Sequence, residues 1–387
     1  MLKTGKATGS QVKRHNRQLL LRAVYNGIAG NRAALAQETG LTKPAVSDLV
    51  AELIDDGLLV EEGFGESTDS GGKRPRLLKF VPTARQVIGV SITGDLILGV
   101  LTNLDGKVIA EHSCPLIAGD EDQFFPTLNA VINGLMAQLS APLLCIGIGI
   151  AAVVDEDEGL IRYAPHFGWN DVPLAHLLSN YRVPVYISDS TELAAMAQYA
   201  FGSVENAASL ATVLVGDSVG VGLVIGDLTY HTGSDIGHLI FFSAGNRHQT
   251  QGPLEDFLCW YDVRRRAYEL SRDYSSDLLL NSGLTYLHIR QALVDSDAAA
   301  LALQEELTTY LAQIFAWIIA LHRPDHISLA GSIADLGEPF LNHIVNKTRQ
   351  FVLPELVQAT TFSVDSTPNL VAIGAAAKSI QSEIGLI

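Results

Sequence analysis

The chain has 387 residues, of which 48% are hydrophobic and 18% charged, a composition typical of two or three globular domains and not of a disordered or fibrous protein. Its formal net charge of -16 argues against nucleic-acid binding, but the charge is unevenly distributed. Residues 1–85 hold 13 basic and 9 acidic side chains, whereas the remainder holds 13 basic and 33 acidic ones. This asymmetry predicts a phosphate-binding head joined to an acidic body.

The cysteines and the apolar segments indicate the compartment. Cys114, Cys145 and Cys259 are isolated and odd in number, which favours a reducing environment over a disulfide framework. The start of the chain is polar and basic, without the apolar core of a secretory signal, and the longest apolar run, 141–154, is too short to span a bilayer. We therefore expect a cytoplasmic protein with no membrane partner.

Three short amphipathic patterns follow one another at the N-terminus. The first covers 11–25, Asn31 can cap the second, and Thr42 can cap the third. Glycines at 40 and 57 are suited to ending the last two helices. The short turn between these helices is typical of a helix-turn-helix, whose second helix enters the major groove of DNA. A simple helical hairpin is the alternative.

Two strand patterns, 58–64 and 76–81, follow the third helix. The tip between them contains the run Gly71-Gly72-Lys73-Arg74-Pro75, whose narrow backbone and positive charge suit the electronegative minor groove. A basic loop that is merely solvated is the alternative. Together these elements predict a winged helix-turn-helix domain over residues 1–82.

The candidate DNA contacts lie on the second helix, at the start of the third helix and in the wing. Ser47 can hydrogen-bond a base or a phosphate, Ala45 can contact a thymine methyl group, and Lys43 is suited to a phosphate. The full set is Arg32, Thr42, Lys43, Pro44, Ala45, Ser47, Asp48, Lys73, Arg74 and Arg76.

The body, residues 83–387, changes to mixed strands and helices, which gives the whole chain an α/β fold class. Glycine-interrupted hairpin patterns occur at 87–101 and again at 213–228. Their repetition indicates two lobes, approximately 83–200 and 201–387.

The motifs of the head and their position before this body resemble a known family. The residues that carry the resemblance are Leu35-Ala36, Gly40-Leu41-Thr42, Val46-Ser47, Gly57-Leu58 and the glycine-rich wing tip. They are similar to the transcriptional branch of the ROK family, which joins repressors, open reading frames and sugar kinases and includes xylose and N-acetylglucosamine repressors. The resemblance implies a winged helix-turn-helix before a two-lobed, actin-like or hexokinase-type body that binds its ligand between the lobes.

The resemblance also shows where the chain departs from the kinases of the family. Their Asp-x-Gly-Gly-Thr loop appears here as Ser91-Ile92-Thr93-Gly94-Asp95, the second loop at 216–220 is shorter, and Ala330 replaces an adenine-facing glycine. Phosphoryl transfer needs a phosphate cradle, a carboxylate for the metal and a base on the acceptor hydroxyl. We therefore expect no catalysis and no cofactor; an active sugar kinase with a DNA-binding head is the alternative.

The position of the kinase base has two alignments. The family's Asn-Asp-x-Asn stretch corresponds to Ser188-Asp189-Ser190-Thr191-Glu192. Without gaps Ser190 stands at the base position, and a shift of one residue places Asp189 there. Either residue can instead cap the helix that follows.

The ligand site implied by the resemblance has also changed. The Gly-x-Pro-Gly sugar loop becomes Gly149-Ile150-Ala151-Ala152, a histidine stands where the family has a sugar-binding Asn, and Asp replaces Glu in the Glu-x-x-His motif. A concave site of this kind can hydrogen-bond a polar ligand. The candidate ligand residues are His166, Asp189, Glu192, Asp235 and His238.

Zinc is not expected. Family members often bind it through a His and a Cys-x-Cys-x4-Cys run, whereas the segment after His238 contains His248 but no thiolate at the required spacing.

The sequence therefore predicts a DNA-binding transcriptional regulator, a repressor of carbohydrate-related genes, that binds double-stranded operator DNA as a homodimer or tetramer. A degenerate kinase-like body is expected to sense a sugar or a sugar-derived effector. Besides the active kinase, a regulator that responds to a non-sugar or protein ligand is the alternative.

Overall fold

The computed structural model describes residues 8–65, 74–116, 121–202, 208–226, 228–230, 234–242, 251–277, 280 and 283–386, with the backbone alone at 121, 228–230, 234 and 235. Within these ranges no helix is long and apolar enough to cross a membrane.

The helices carry the head, the outer layers of the body and the C-terminal segment. They are α1 (Gly9–Tyr25), α2 (Arg32–Thr39), α3 (Lys43–Asp55), α4 (Glu121–Met136), α5 (Leu174–Leu177), α6 (Ser190–Phe201), α7 (Glu255–Leu258), α8 (Trp260–Asp273), α9 (Tyr286–Val294), α10 (Ala298–His322), α11 (Gly337–Thr348), α12 (Pro354–Gln358) and α13 (Leu370–Ile384).

The strands form the wing, two large sheets and two small ones. They are β1 (Leu59–Phe64), β2 (Arg76–Phe80), β3 (Gln86–Ile92), β4 (Leu96–Asn103), β5 (Val108–Pro115), β6 (Leu143–Ile150), β7 (Val153–Asp155), β8 (Leu160–Ala164), β9 (Trp169–Val172), β10 (Val185–Asp189), β11 (Ser209–Val215), β12 (Val219–Ile225), β13 (Leu228–Tyr230), β14 (Ile240–Phe242), β15 (Gln251–Pro253), β16 (His326–Ala330) and β17 (Thr361–Asp365).

The head forms the elements that its sequence predicts. The Asn31 side chain accepts hydrogen bonds from the backbone N–H groups of Ala33 and Ala34, and Thr42 accepts one from Ala45. Gly40 ends α2 in the left-handed conformation, at a φ of 66°. β1 and β2 pair antiparallel after α3, as a wing requires. The tip at 66–73, including Lys73, lies outside the described residues.

The two large sheets repeat one topology. The first has the order β10-β6-β3-β4-β5 and the second the order β13-β12-β11-β16-β17. In each sheet an antiparallel three-stranded meander is followed by two parallel strands. This repeat agrees with the two hairpin patterns in the sequence and divides the body into two lobes.

The last helix, α13, belongs to the first lobe, although it comes at the end of the chain. A Cβ atom at Gly89 or Gly147 would lie about 2 Å from backbone carbonyls of α13, so the helix lies directly on β3 and β6. The approximate second-lobe range 201–387 therefore needs correction, because α13 crosses back. Glycine allows this close approach, a packing requirement that strand patterns do not reveal.

The head and the first lobe share one apolar core. Leu20 and Leu21 of α1 and Phe80 of β2 belong to the same buried cluster as Val87 of β3 and Ile380 of α13. Burial of this kind fixes the head on the body, because separating them would expose the shared apolar surface to water.

Candidate functional site

The exposed face of α3 carries most of the predicted DNA contacts. Val46, Leu49 and Val50 point into the head, where they are buried. The opposite face holds the predicted residues: Thr42, Lys43, Pro44, Ser47 and Asp48 are exposed and Ala45 is half-buried. The N-terminal part of α3 is thus free to enter a groove, which is the geometry of a recognition helix.

Glu61 of β1 connects the wing to the helix-turn-helix. Its carboxylate accepts hydrogen bonds from Arg32 of α2 and, at 2.7 Å, from Arg76 of β2. These two hydrogen bonds hold the pKa of Glu61 below its usual value. Arg32 and Arg76, both predicted DNA contacts, therefore join the wing to the helix-turn-helix through Glu61, and Arg74, another predicted contact, is exposed. Sequence reasoning missed Glu61, because nothing in a strand sequence marks a carboxylate that bridges two arginines.

Several predicted ligand residues meet in a small cavity of ≈ 70 Å³ between the lobes. His166 comes from the 3-10 helix Pro165–Phe167 and Asp189 from the end of β10. His238 ends the 3-10 helix Ser234–His238. The two histidines converge on Glu255, with His166 Nε2 at 3.9 Å and His238 Nδ1 at 3.8 Å from its Oε2 atom.

Glu255 is a site residue that the sequence did not identify. It begins α7 and lines the small cavity, and its Oε1 atom accepts a hydrogen bond from the backbone N–H of Val219 at 3.2 Å. The signal that could have found it is an acidic residue two positions after Pro253, on the segment that the family resemblance marks as the zinc-binding region.

Asp189 acts as the N-cap of α6 and still borders the cavity. Its carboxylate accepts hydrogen bonds from the backbone N–H of Thr191, at 2.8 Å, and from the Thr191 hydroxyl. Burial raises the pKa of Asp189, and the hydrogen bonds from Thr191 oppose that rise. The neighbouring Ser190 hydroxyl is buried and has no hydrogen-bond partner among the described residues. Both side chains line the cavity, where a ligand hydroxyl can satisfy them.

Glu192 does not line this cavity, which corrects its prediction as a ligand residue. It is buried on α6, where Lys378 of α13 donates a hydrogen bond to it at 2.6 Å. Lys378 also pairs with Glu156. The pairing with Lys378 directs the Glu192 carboxylate to α13, although Glu192 lies only three residues after Asp189. The side chain of Asp235 lies outside the described residues.

A larger cavity of ≈ 300 Å³ shares Ala151, His166, Ser190 and Ser218 with the small one. It occupies the position between the hairpin turns of the two lobes, where Asp95 and Asp217 lie. Burial and the nearby charge of Asp95 raise the pKa of Asp217, and a hydrogen bond from the backbone N–H of Gly94 opposes this rise. Among the described residues, those that line this cavity include two carboxylates and no Lys or Arg.

Metal ligands are not grouped in the described part of the chain. No cluster of three or more His, Cys, Asp or Glu residues there has the geometry to hold an ion. His248 lies outside the described residues.

The winged head and the two-lobed body define the class: a winged-helix DNA-binding protein with a sugar-kinase-like domain. The profile of the ROK family matches residues 87–380, and the chain belongs to that family. A putative xylose repressor from Caldicellulosiruptor sp. (strain Rt8B.4) is 26% identical over 352 residues, which cover 86% of this chain and 87% of that protein.

Two solved structures show the fold. A ROK family transcriptional regulator, described as a homolog of the E. coli MLC protein, superimposes with a TM-score of 0.81 at 20% identity and covers 97% of this chain and 98% of its own. A ROK glucokinase from Streptomyces griseus, in complex with glucose and AMPPNP, gives a TM-score of 0.66 at 21% identity and covers 75% of this chain and 98% of its own. The two structures confirm the predicted fold class, whereas the family profile and the repressor relative confirm the predicted family and functional class, a ROK transcriptional regulator.

Proposed function

We propose that this protein is a repressor that binds operator DNA through α3 and the wing and releases it when a sugar or sugar-derived ligand enters the cleft between the lobes. The observation that carries the proposal is the exposed recognition helix on a head that is packed against a kinase-like body. The relatives that align over most of the chain include a putative xylose repressor, which supports a carbohydrate-related regulon.

The interlobe cavity favours ligand binding without phosphoryl transfer. A nucleoside triphosphate is bound through cations and backbone N–H groups that surround its phosphates. The turns in this position instead present Asp95 and Asp217, and the cavity has no Lys or Arg among its lining residues in the described part of the chain. Two carboxylates with no Lys or Arg among the described lining residues repel a metal-free polyphosphate, which supports ligand binding without phosphoryl transfer over the active-kinase alternative.

The small cavity has the chemistry for a polyol. Asp189 and Glu255 accept hydrogen bonds from ligand hydroxyls, whereas His166 and His238 can donate or accept. The Ser190 hydroxyl adds a group with no partner among the described residues. Convergent donors and acceptors of this kind discriminate strongly for hydroxylated ligands, because an apolar ligand would leave them unpaired.

Helix α13 connects the interlobe cavity to the DNA-binding head. Its first residues, Leu370 and Val371, line the larger interlobe cavity. Near its far end Ile380, together with Leu386 just beyond the helix, belongs to the apolar cluster that contains Leu20 of α1. Closure of the lobes on a ligand moves α13 and with it the head. In a homodimer this changes the spacing of the two heads and therefore the affinity for a two-half-site operator.

The test combines DNA binding with enzymology. DNA selected by the full-length protein from a random library serves as the operator, and fluorescence anisotropy measures its affinity with and without a panel of neutral and phosphorylated sugars. We expect at least one sugar to weaken binding to the full palindrome more than binding to one half-site. Ser47→Ala should lose sequence preference while the body still binds the sugar.

Two results would contradict the proposal. If no sugar in the panel changes the affinity for the operator, the effector is a non-sugar ligand or a protein. ATP-dependent turnover of any sugar in a coupled assay would show that the body is an active kinase.

A further inference from the structure

A third cavity lies outside the interlobe cleft, at the junction of the head and the body. Its volume is ≈ 460 Å³, within the range of small-molecule sites. Its walls come from α1 and the end of α3 in the head, from Arg85 and Leu144 of the first lobe, and from Glu383 and Ile384 at the end of α13. A molecule bound in this junction cavity therefore touches both parts of the protein.

Acids of the head pair with only two of the four cations that line the junction cavity. Lys13 pairs with Glu52 at 2.7 Å, and Arg17 pairs with Asp56. These two ion pairs lie between α1 and the end of α3, so they hold the head together. The other two cations of the cavity have no ion pair with these acids.

Arg14 and Arg85 are the remaining cations. Arg14 donates a hydrogen bond to the backbone carbonyl of Ser382 at 2.6 Å, and Arg85 donates one to that of Ala84 at 2.8 Å. Neither forms an ion pair with a carboxylate among the described residues, and the carboxylate of Glu383 already accepts a hydrogen bond from the Tyr186 hydroxyl.

Part of the wall is apolar. Leu21, Leu58, Leu144 and Ile384 line the cavity, and the first two are buried, whereas Ser10, Gln18 and the carboxylates of Glu52, Asp56 and Glu383 join the four cations in the rest. A guanidinium group presents its N–H donors in a planar fork that matches a carboxylate or a phosphate. Two such groups beside an apolar surface can bind a small organic molecule that carries one oxyanion.

We infer that the junction cavity is a second ligand site, which binds a small metabolite with one oxyanion, a phosphate ester or a carboxylate, through Arg14 and Arg85. Arg14 belongs to the head and Arg85 to the start of the body. The ligand therefore binds the docked arrangement of head and body and stabilises it by mass action. This site differs from the interlobe cleft in place and in charge, and it does not depend on the effector proposed above.

Isothermal titration calorimetry of the full chain tests the inference. The probes are glycerol 3-phosphate, butyrate, inorganic phosphate and glycerol. We expect one-site binding of glycerol 3-phosphate or butyrate and none of glycerol; binding of only one of the two organic anions identifies the source of the oxyanion. Arg14→Gln and Arg85→Gln should each weaken binding about tenfold or more, since each removes a charge-assisted hydrogen bond.

Lys107→Gln, an exposed cation outside the cavity, is the matched control and should bind like the wild type. Thermal melting verifies that each variant folds. If a variant does not fold, the corresponding Arg→Lys variant is measured instead. Lysine keeps the positive charge but lacks the planar fork of donors, so this variant should still bind more weakly than the wild type.

Two results would overturn the inference. One is the absence of saturable binding by all three anions, and the other is wild-type affinity in the Arg14→Gln Arg85→Gln double variant. The titration contains no DNA or sugar, so this failure is distinct from a failure of the proposed function.

Discussion

Arg22 in the last turn of α1 donates a hydrogen bond from its Nε atom to the carbonyl oxygen of Gly385, 2.9 Å away, just beyond α13. One and two turns earlier on the same face of α1, Gln18 and Arg14 donate to the carbonyls of Glu383 and Ser382. The last carbonyls of a helix have no partner within the helix, and cations are favourable there. The first helix of the chain thus caps the last one, and the basic face of α1 contacts the body.

Gly385→Ala should disturb this contact. Gly385 has a φ of 65°, and a Cβ atom there would lie 2.9 Å from the Cβ of Gln18. Strain at such a position costs on the order of 1–3 kcal/mol, and the clash with α1 adds to it. We expect a lower melting temperature and a weaker effect of the sugar on operator affinity, measured by calorimetry and anisotropy.

Gly226→Ala is the control for this substitution, because Gly226 has a φ of 57° and a Cβ atom there would meet no atom of the described residues within 4 Å. It should show the backbone cost alone, with the sugar response intact. Equal behaviour of the two variants would mean that the contact between α1 and α13 carries no signal.

Arg74→Ala and Arg76→Ala should weaken operator binding and reduce its salt dependence. Both side chains are exposed at the base of the wing. Each phosphate contact that is lost lowers the slope of log affinity against log salt by about one. Anisotropy titrations over a range of salt concentrations measure the slope, with Lys107→Ala as the control. An unchanged slope would remove this part of the wing from the interface.

Glu61→Gln should make the stability of the wing less dependent on pH in the acidic range. The pKa of Glu61 is lowered in the folded protein by its hydrogen bonds with Arg32 and Arg76, so its contribution is present above the usual glutamate pKa of about 4.3 and is lost as the pH falls through the lowered value. Hydrogen exchange of β1 and β2 in the full chain, compared between variant and wild type at each pH, should differ at pH 7 and converge in acid.

Glu62→Gln is the matched control for Glu61→Gln. Glu62 pairs with Lys79 at 3.0 Å, but both side chains are more than half exposed. Because such surface pairs contribute little, its exchange should follow the wild type at every pH. A wing that is equally protected in both variants at pH 7 would show that Glu61 does not fix the wing.

The sequence predicted the parts of this protein whose signals are local. Caps such as Asn31 and Thr42 and the stops at glycine are properties of adjacent residues, so the head could be predicted closely. Glu255 and the Asp95–Asp217 pair could not, because their significance comes from long-range folding that brings two lobes together. Glu192 illustrates the reverse error: its place in a motif suggested the ligand site, whereas Lys378, distant in sequence, determines its environment.

Asp189→Asn should weaken sugar binding while leaving α6 intact. Asparagine caps a helix as well as aspartate does, so the cap on the Thr191 N–H survives, but the negative charge toward the cavity is lost. A hydrogen bond to a charged group contributes about 1.5–3 kcal/mol, which corresponds to a loss in affinity of about tenfold or more. Calorimetric titration with the sugar found in the operator screen measures this loss.

Asp189→Ala separates the two roles of the side chain. It removes the cap as well as the charge, so the melting temperature should fall together with the affinity. If Asp189→Asn binds the sugar with unchanged affinity, Asp189 caps α6 and does not bind the sugar through its charge.

Lys378→Met should be among the most destabilising substitutions in the body. Lys378 and Glu192 each expose only 9% of their side chains, and removal of the cation leaves Glu192 as a buried carboxylate without that partner. Breaking a buried pair in this way costs about 3–5 kcal/mol. Replacing both members, Lys378→Met with Glu192→Met, should recover much of that loss, because the buried carboxylate is removed together with its partner, and Glu156, which also pairs with Lys378, is 30% exposed. Thermal denaturation compares the variants, with Lys107→Met as the exposed control.

Glu192→Gln should keep the sugar affinity of the wild type, because Glu192 does not line the ligand cavity. Calorimetric titration with the sugar measures this affinity. A tenfold loss in Glu192→Gln would return Glu192 to the ligand site.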